Sequence, residues 1–81
     1  MNVKVLYFAS ARDLASTSTE TLTVPEGSSL ARLASMIFRL HPALGKQMSS
    51  LKFSVNFDVV ATDSRLEDGD EVGVLPPVAG G

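Results

Sequence analysis

The last six residues, Pro76-Pro77-Val78-Ala79-Gly80-Gly81, carry the group best placed for chemistry, a carboxylate with no side chain on its own residue or the one before it. Glycine lacks a Cβ, so neighbouring groups can close on the backbone from either side, and the carbonyl carbon of Gly81 is open to attack. Two prolines fix φ and favour an extended exit. Six extended residues reach about 20 Å at roughly 3.3 to 3.6 Å each, a shape that enters a narrow channel on another protein. Gly80 and Gly81 are therefore the candidate reactive positions, with Val78 and Ala79 as channel contacts. A merely frayed terminus has the same look, and Gly-Gly alone does not separate the two.

The rest of the chain offers little competing chemistry. There is no Cys, which excludes thiolate nucleophiles, disulfides and zinc knuckles, and there is one His, His41. A Ser-His-Asp arrangement would have to use that residue, and a metal site normally needs several ligands held together, so no metal is expected. With 81 residues and 44% hydrophobic content the chain is one small globular domain, 1–81. No apolar run approaches the roughly 18 residues of a membrane span, and Met1-Asn2-Val3-Lys4 does not open a signal peptide. The expectation is a soluble cytoplasmic protein.

Charge is uneven along the sequence. Residues 1–52 hold six cations against three carboxylates, a balance of +3, whereas residues 53–81 hold Arg65 against six carboxylates, a balance of -5. The acidic half repels nucleic acid, so none is expected as partner. Asp68, Asp70 and Glu71 are candidates for contact with a basic partner surface, alongside the simpler reading of a solvated turn.

The elements that must position the tail follow from the hydrophobic pattern. Val3 to Ala9 reads as an internal strand, with Val3, Val5 and Tyr7 on one face and Leu6 and Phe8 on the other. Glu20 to Val24 alternates cleanly and is ended by Pro25-Glu26-Gly27, as an edge strand would be. Between them, Ala11 to Ala15 can form one helical turn. Ser29 to Leu40 is the main helix: Leu30, Leu33, Ala34 and Ile37 make an apolar stripe, Ser28 is the expected N-cap, and Pro42 stops it. His41 then reads as a helix-end residue rather than a base. Phe53 to Phe57 and Val59 to Ala61 form a hairpin about a turn at Asn56 to Asp58, and Asp68-Gly69-Asp70 turns into a last strand, Glu71 to Leu75. Strand, strand, helix, strand, strand, strand is the order of an α+β ubiquitin-like β-grasp, a mixed sheet crossed by one main helix, with the first and last strands parallel.

The chain resembles the MoaD-type small subunit of molybdopterin synthase, a family of ubiquitin-like sulfur carriers. The resemblance rests on Val3-Lys4-Val5-Leu6-Tyr7-Phe8-Ala9, Arg12-Asp13-Leu14, Val55-Asn56, Asp68-Gly69-Asp70-Glu71-Val72 and Leu75-Pro76-Pro77-Val78-Ala79-Gly80-Gly81. Leu75 departs from the aromatic residue that bacterial members often carry before the prolines. The resemblance implies an E1-like adenylyltransferase and sulfurtransferase that spends ATP to adenylate Gly81 and turns it into a thiocarboxylate. It further implies delivery of the sulfur to cyclic pyranopterin monophosphate in the large synthase subunit, within a heterotetramer, with acid and base groups on that subunit and no cofactor bound permanently to the small chain. Phe8, Arg12, Leu66, Leu75, Pro76, Pro77, Val78 and Ala79 become candidate partner contacts. The alternatives are a carrier for thiazole formation or tRNA thiolation, a ubiquitin-like modifier of lysines, and a binding module with an inert tail.

Overall fold

The structure, a computed structural model, describes residues 1–77; the sequence-based assignments for Val78, Ala79, Gly80 and Gly81 lie outside the described residues. Five strands form one mixed sheet in the order β2-β1-β5-β3-β4. They are β1 (Asn2–Tyr7), β2 (Thr19–Thr23), β3 (Lys52–Val55), β4 (Asp58–Val59) and β5 (Glu71–Leu75). The expected parallel pairing of first and last strands is present, with Val5 opposite Val72 and Tyr7 opposite Val74. The other three pairings are antiparallel. This is the β-grasp arrangement that the element order implies.

Three helices, α1 (Ser10–Ala15), α2 (Leu30–Leu40) and α3 (Pro42–Gly45), join the strands, with a 3-10 turn at Met48–Ser50 before β3. The α2 stripe Leu30, Leu33, Ala34 and Ile37 is buried. It packs in one core with Val3, Val5 and Tyr7 of β1, Leu22 and Val24, Phe53, and Val72 and Val74 of β5. Each fully buried Leu, Ile or Val side chain contributes about 1.5–3 kcal/mol, so this single layer contact carries the stability of a domain without disulfides. Leu44 on α3 adds a buried contact that the sequence pattern alone did not assign.

Several boundaries differ from those read from sequence, for local reasons. β1 stops at Tyr7 because Ala9 takes φ 50° and swings the chain into α1. The α2 cap is Ser29, whose Oγ accepts from the Arg32 amide at 3.2 Å; Ser28, buried, instead donates its hydroxyl to Pro25 O at 2.6 Å and closes the turn after β2. The β3–β4 hairpin turns on Asn56 and Phe57 alone, both left-handed at φ 49° and 73°, and β4 ends at Val59. Two-residue hairpin turns favour that conformation, which Asn tolerates and Phe does not.

Candidate functional site

β5 lies in the middle of the sheet, so the chain leaves from the centre of one end. Phe8 donates its amide to Val74 O at 3.2 Å, and Lys52 is the register partner of Leu75. Phe8, Leu75 and Lys52 thus stand level around the exit. α1 folds directly back from it through Ala11 N–H to Phe8 O and Arg12 N–H to Ala9 O, which brings Arg12 to the same end. Leu75 and Pro76 are half-buried and Pro77 is exposed.

Phe8 owes its position to a residue that the sequence reading passed over. Val72 and Val74 point into the core, so Gly73 between them faces the open side of the sheet, where a Cβ would come within 3.0 Å of the Phe8 ring and 2.5 Å of Ser54 Oγ. The absence of that atom lets the aromatic ring lie across the central strand while remaining 41% exposed. A glycine inside an otherwise regular strand was the available signal, since it marks a close approach. Leu6, Gly73, Ser54 and Val59 continue one cross-strand row beside it, and Val59 is exposed. The open face at the exit is therefore apolar, with a floor of small residues.

Not every candidate contact joins this surface. Leu66 is only 3% exposed and belongs to the core, because the bridge between Ser29 and Arg65 pins its segment onto α2; it is no part of the exit patch. Asp70 is buried too, with Oδ1 accepting from Asn56 Nδ2 at 3.0 Å and Oδ2 from the Glu67 amide at 2.8 Å, so its carboxylate closes the turn rather than facing a partner. Asp68 is exposed but accepts from the Asn2 amide at 2.7 Å. Glu71 lies on the open face beside Lys4. All three acidic residues sit where β5 begins, a strand length away from the exit, and not beside the tail.

His41 is at the C-terminus of α2, as expected, its amide donating to Ile37 O at 2.8 Å. Its side chain does more. Glu20 Oε2 accepts from His41 Nε2 at 2.6 Å and from the Tyr7 hydroxyl at 2.5 Å, tying β1, β2 and the α2–α3 junction together. The Tyr7 and His41 rings meet edge to face at 5.4 Å. Burial pushes the Glu20 carboxyl up, but the hydrogen bonds from Tyr7 and His41 and the His41 charge outweigh it and hold the group below its ordinary value. Burial, and then the Glu20 hydrogen bond and charge, push the Tyr7 phenol well above its usual range. With the imidazole held on a carboxylate, this triad ties three elements of the fold together, and neither the cleft at the start of α2 nor the one between α2 and β3 is lined by it. Among the described residues no group of three or more His, Asp or Glu is gathered as metal ligands, and no helix is long and apolar enough to cross a membrane.

Residues 5–81 match the ThiS family. The chain belongs to that family. A molybdopterin synthase sulfur carrier subunit from Chlamydomonas reinhardtii is 37% identical over the full length of both chains. The subunit of the same name from Homo sapiens is 33% identical over 98% of this chain and 93% of its own. These are MoaD-type proteins, the group whose motifs the sequence resembles. Among solved structures, a putative molybdopterin converting factor subunit 1 from Pyrococcus furiosus superposes with TM-score 0.88 at 35% identity over 96% of this chain and 99% of that one. Small archaeal modifier protein 1 from Methanosarcina acetivorans gives 0.86 at 26% identity over 99% and 96%. A complex of subunits 1 and 2 of molybdopterin-converting factor from Helicobacter pylori contains a chain of the same fold, TM-score 0.73 at 22% identity over the full length of both.

Proposed function

We propose that this chain is the sulfur-carrying small subunit of a molybdopterin synthase. The single observation that carries the reading is the full-length likeness to curated subunits of that name, in a family match that runs through Gly81. The exit geometry supports it: the central strand ends among Phe8, Leu75 and Lys52, at the centre of one end of the sheet. In this reading an E1-like enzyme spends ATP to join AMP to the Gly81 carboxylate. The step is needed because a carboxylate's delocalised charge makes its carbon a poor electrophile, and AMP is a good leaving group. A sulfur donor then displaces AMP, leaving a C-terminal thiocarboxylate. The large subunit accepts the tail, and the thiocarboxylate sulfur passes to cyclic pyranopterin monophosphate, two carriers serving each dithiolene. Acid and base groups belong to that subunit.

Phe8, Arg12, Leu75, Pro76, Pro77, Val78 and Ala79 are the proposed partner contacts and Gly80-Gly81 the reacting end. The test is intact mass after incubation with ATP, the activating enzyme and a sulfur donor. The expected gain is that of sulfur for oxygen, localised to Gly81 and lost on adding the large subunit with cyclic pyranopterin monophosphate. An unchanged mass with enzymes that act on another carrier overturns the reading. A second reading, a ubiquitin-like modifier, is favoured by the likeness to the archaeal modifier; it predicts isopeptide conjugates through Gly81 in place of a thiocarboxylate.

A further inference from the structure

The ionisable residues divide by their position along the strands. Around the end where β1 and β5 finish stand Arg12 on α1, Arg39 in the last turn of α2, Lys46 after α3 and Lys52 opposite Leu75, together with Asp13 and Glu20. Around the opposite end stand Lys4, Arg32 and Arg65 with Glu26, Asp58, Asp63, Glu67, Asp68, Asp70 and Glu71. Counting side chains, four cations against two carboxylates give the exit end +2, and three against seven give the far end -4, together the -2 of the whole chain; the Met1 ammonium bonded to Val24 O at the far end and the carboxylate of the tail leave this polarity at +1 against -3. The five residues of β5 span roughly 17 Å at about 3.3 Å each. That exceeds the Debye length of about 8 Å at physiological salt, so a partner touching one end feels mainly that end.

Three of the ten charged side chains at the far end are engaged within the fold. At the far end Asp68 and Asp70 accept hydrogen bonds from the backbone, and Arg65 donates to Gly27 O at 2.8 Å. The cleft there is lined by Glu26 and Asp63 as well as Arg32 and Arg65, and the first four α2 amides are already bonded to Ser64 O, Thr62 O and Ser29, so its cations stand among carboxylates. At the exit end, Arg12, Arg39, Lys46 and Lys52 are all exposed, and among the described residues none has a side-chain hydrogen bond or an ion pair. Neither that far-end cleft nor the apolar one between α2 and β3 is lined by any of the four. They surround the exit without converging on a hollow. A small anion needs converging donors, whereas cations spread over four elements match an extended surface of opposite sign.

We propose that the exit end docks on a protein surface whose channel mouth is rimmed with carboxylates, and that the charge polarity turns the carrier tail-first as the two approach. This rests on the reading that the tail is delivered into a partner protein, and it adds the sign of the receiving surface and a kinetic role for Arg12, Arg39, Lys46 and Lys52. Complementary charge acts mainly on the association rate, through orientation at encounter, and weakens with salt.

The experiment is stopped-flow association of the full chain with the large synthase subunit, from about 25 to about 400 mM NaCl, a range across which screening changes strongly. Association of the unaltered chain slows with salt. Arg12→Glu with Lys52→Glu lowers the low-salt association rate by about tenfold or more and flattens its salt dependence. Arg39→Glu with Lys46→Glu does the same from the helical side, so a folding defect in either pair does not decide the matter. Glu26→Lys with Glu67→Lys, equal in charge change but at the far end, stays within about twofold. Rates that are unchanged or faster after reversal at the exit end overturn the proposal, as do equal effects from both ends, which reduce it to net charge. A complex that forms and passes sulfur without salt dependence overturns this proposal and leaves the function standing. Failure of the unaltered chain to associate with the large subunit overturns the function instead; the same titration against the activating enzyme then decides the charge proposal, and no salt-dependent association there overturns it too.

Discussion

Replacing Glu20 by Ala removes the shared acceptor of the Tyr7–Glu20–His41 clamp. The Tyr7 hydroxyl belongs to a residue only 3% exposed and loses its hydrogen bond at 2.5 Å, while His41 loses its contact at 2.6 Å. A hydrogen bond to a charged group is worth about 1.5–3 kcal/mol, and a stranded buried hydroxyl costs about 1–3 kcal/mol. Glu20 and His41 side chains retain 26% and 16% exposure, so water replaces part of what is lost, His41 most readily. We therefore expect a net loss of about 2 kcal/mol, or a fall in Tm of about 8–16 °C for a domain of this size, read by thermal and urea unfolding. The conservative pair Tyr7→Phe and Glu20→Gln, taken through a double-mutant cycle, should show a coupling of about 1 kcal/mol. The pH profile supplies the sign. The Glu20 carboxyl is depressed in the fold, so its stabilisation is fully present above the ordinary carboxylate value and fades as pH falls through the depressed one. Tyr7 is raised, so its contribution holds below the ordinary phenol value of 10.0 and is lost as pH rises beyond it. Additive single mutants, or a Glu20→Gln profile that parallels the unaltered protein at acid pH, would refute the clamp.

Phe57→Gly should stabilise the domain by about 1 kcal/mol, because it relieves a left-handed residue whose ring is 78% exposed; a lower Tm contradicts this. Gly73→Ala should cost about 1–3 kcal/mol through overpacking against Ser54 and Phe8, and Ser54→Gly in the same chain should recover part of it. Asp70→Ala, which strands the Asn56 amide and the Glu67 N–H, should cost about 2 kcal/mol, whereas Asp68→Ala, at an exposed site, should cost less than half as much.

Features carried by local periodicity were legible in the sequence. The α2 stripe, the alternation of Leu22 and Val24 and the stop at His41-Pro42 all appear where the pattern places them. Features made by distant residues were not. Leu66 sits in a polar stretch that reads as exposed, and only its hydrogen bond to Ser28 O and the neighbouring bridge bring it inside. Asp70 looks like its neighbour Asp68, yet it reaches across to Asn56 of the hairpin. The clamp draws one residue each from two strands and a helix end, three positions with no common spacing. Ser28 and Ser29 are equally good caps by type, and the tie is broken by the turn after Pro25. At the exit, Phe8 and Leu75 were found because strand order makes their strands neighbours; Gly73 between them was visible but unread.

The central place of β5 sets the order of events during synthesis. Of the described strands it emerges from the ribosome last, after β1, β2, β3 and β4, yet it is the one that joins β1 to β3. Until it arrives, the nascent chain holds two separate hairpins, β1–β2 and β3–β4, with no ladder between them, and isolated hairpins are marginal in water. Long-range pairing of this kind is slow to form. A chain cut short before Glu71 therefore cannot assemble the sheet, whereas one cut after Leu75 can. The proposed docking face of Phe8, Gly73 and Leu75 comes into being only when the last of these strands has been made, so premature termination yields unfolded fragments for proteases rather than folded decoys.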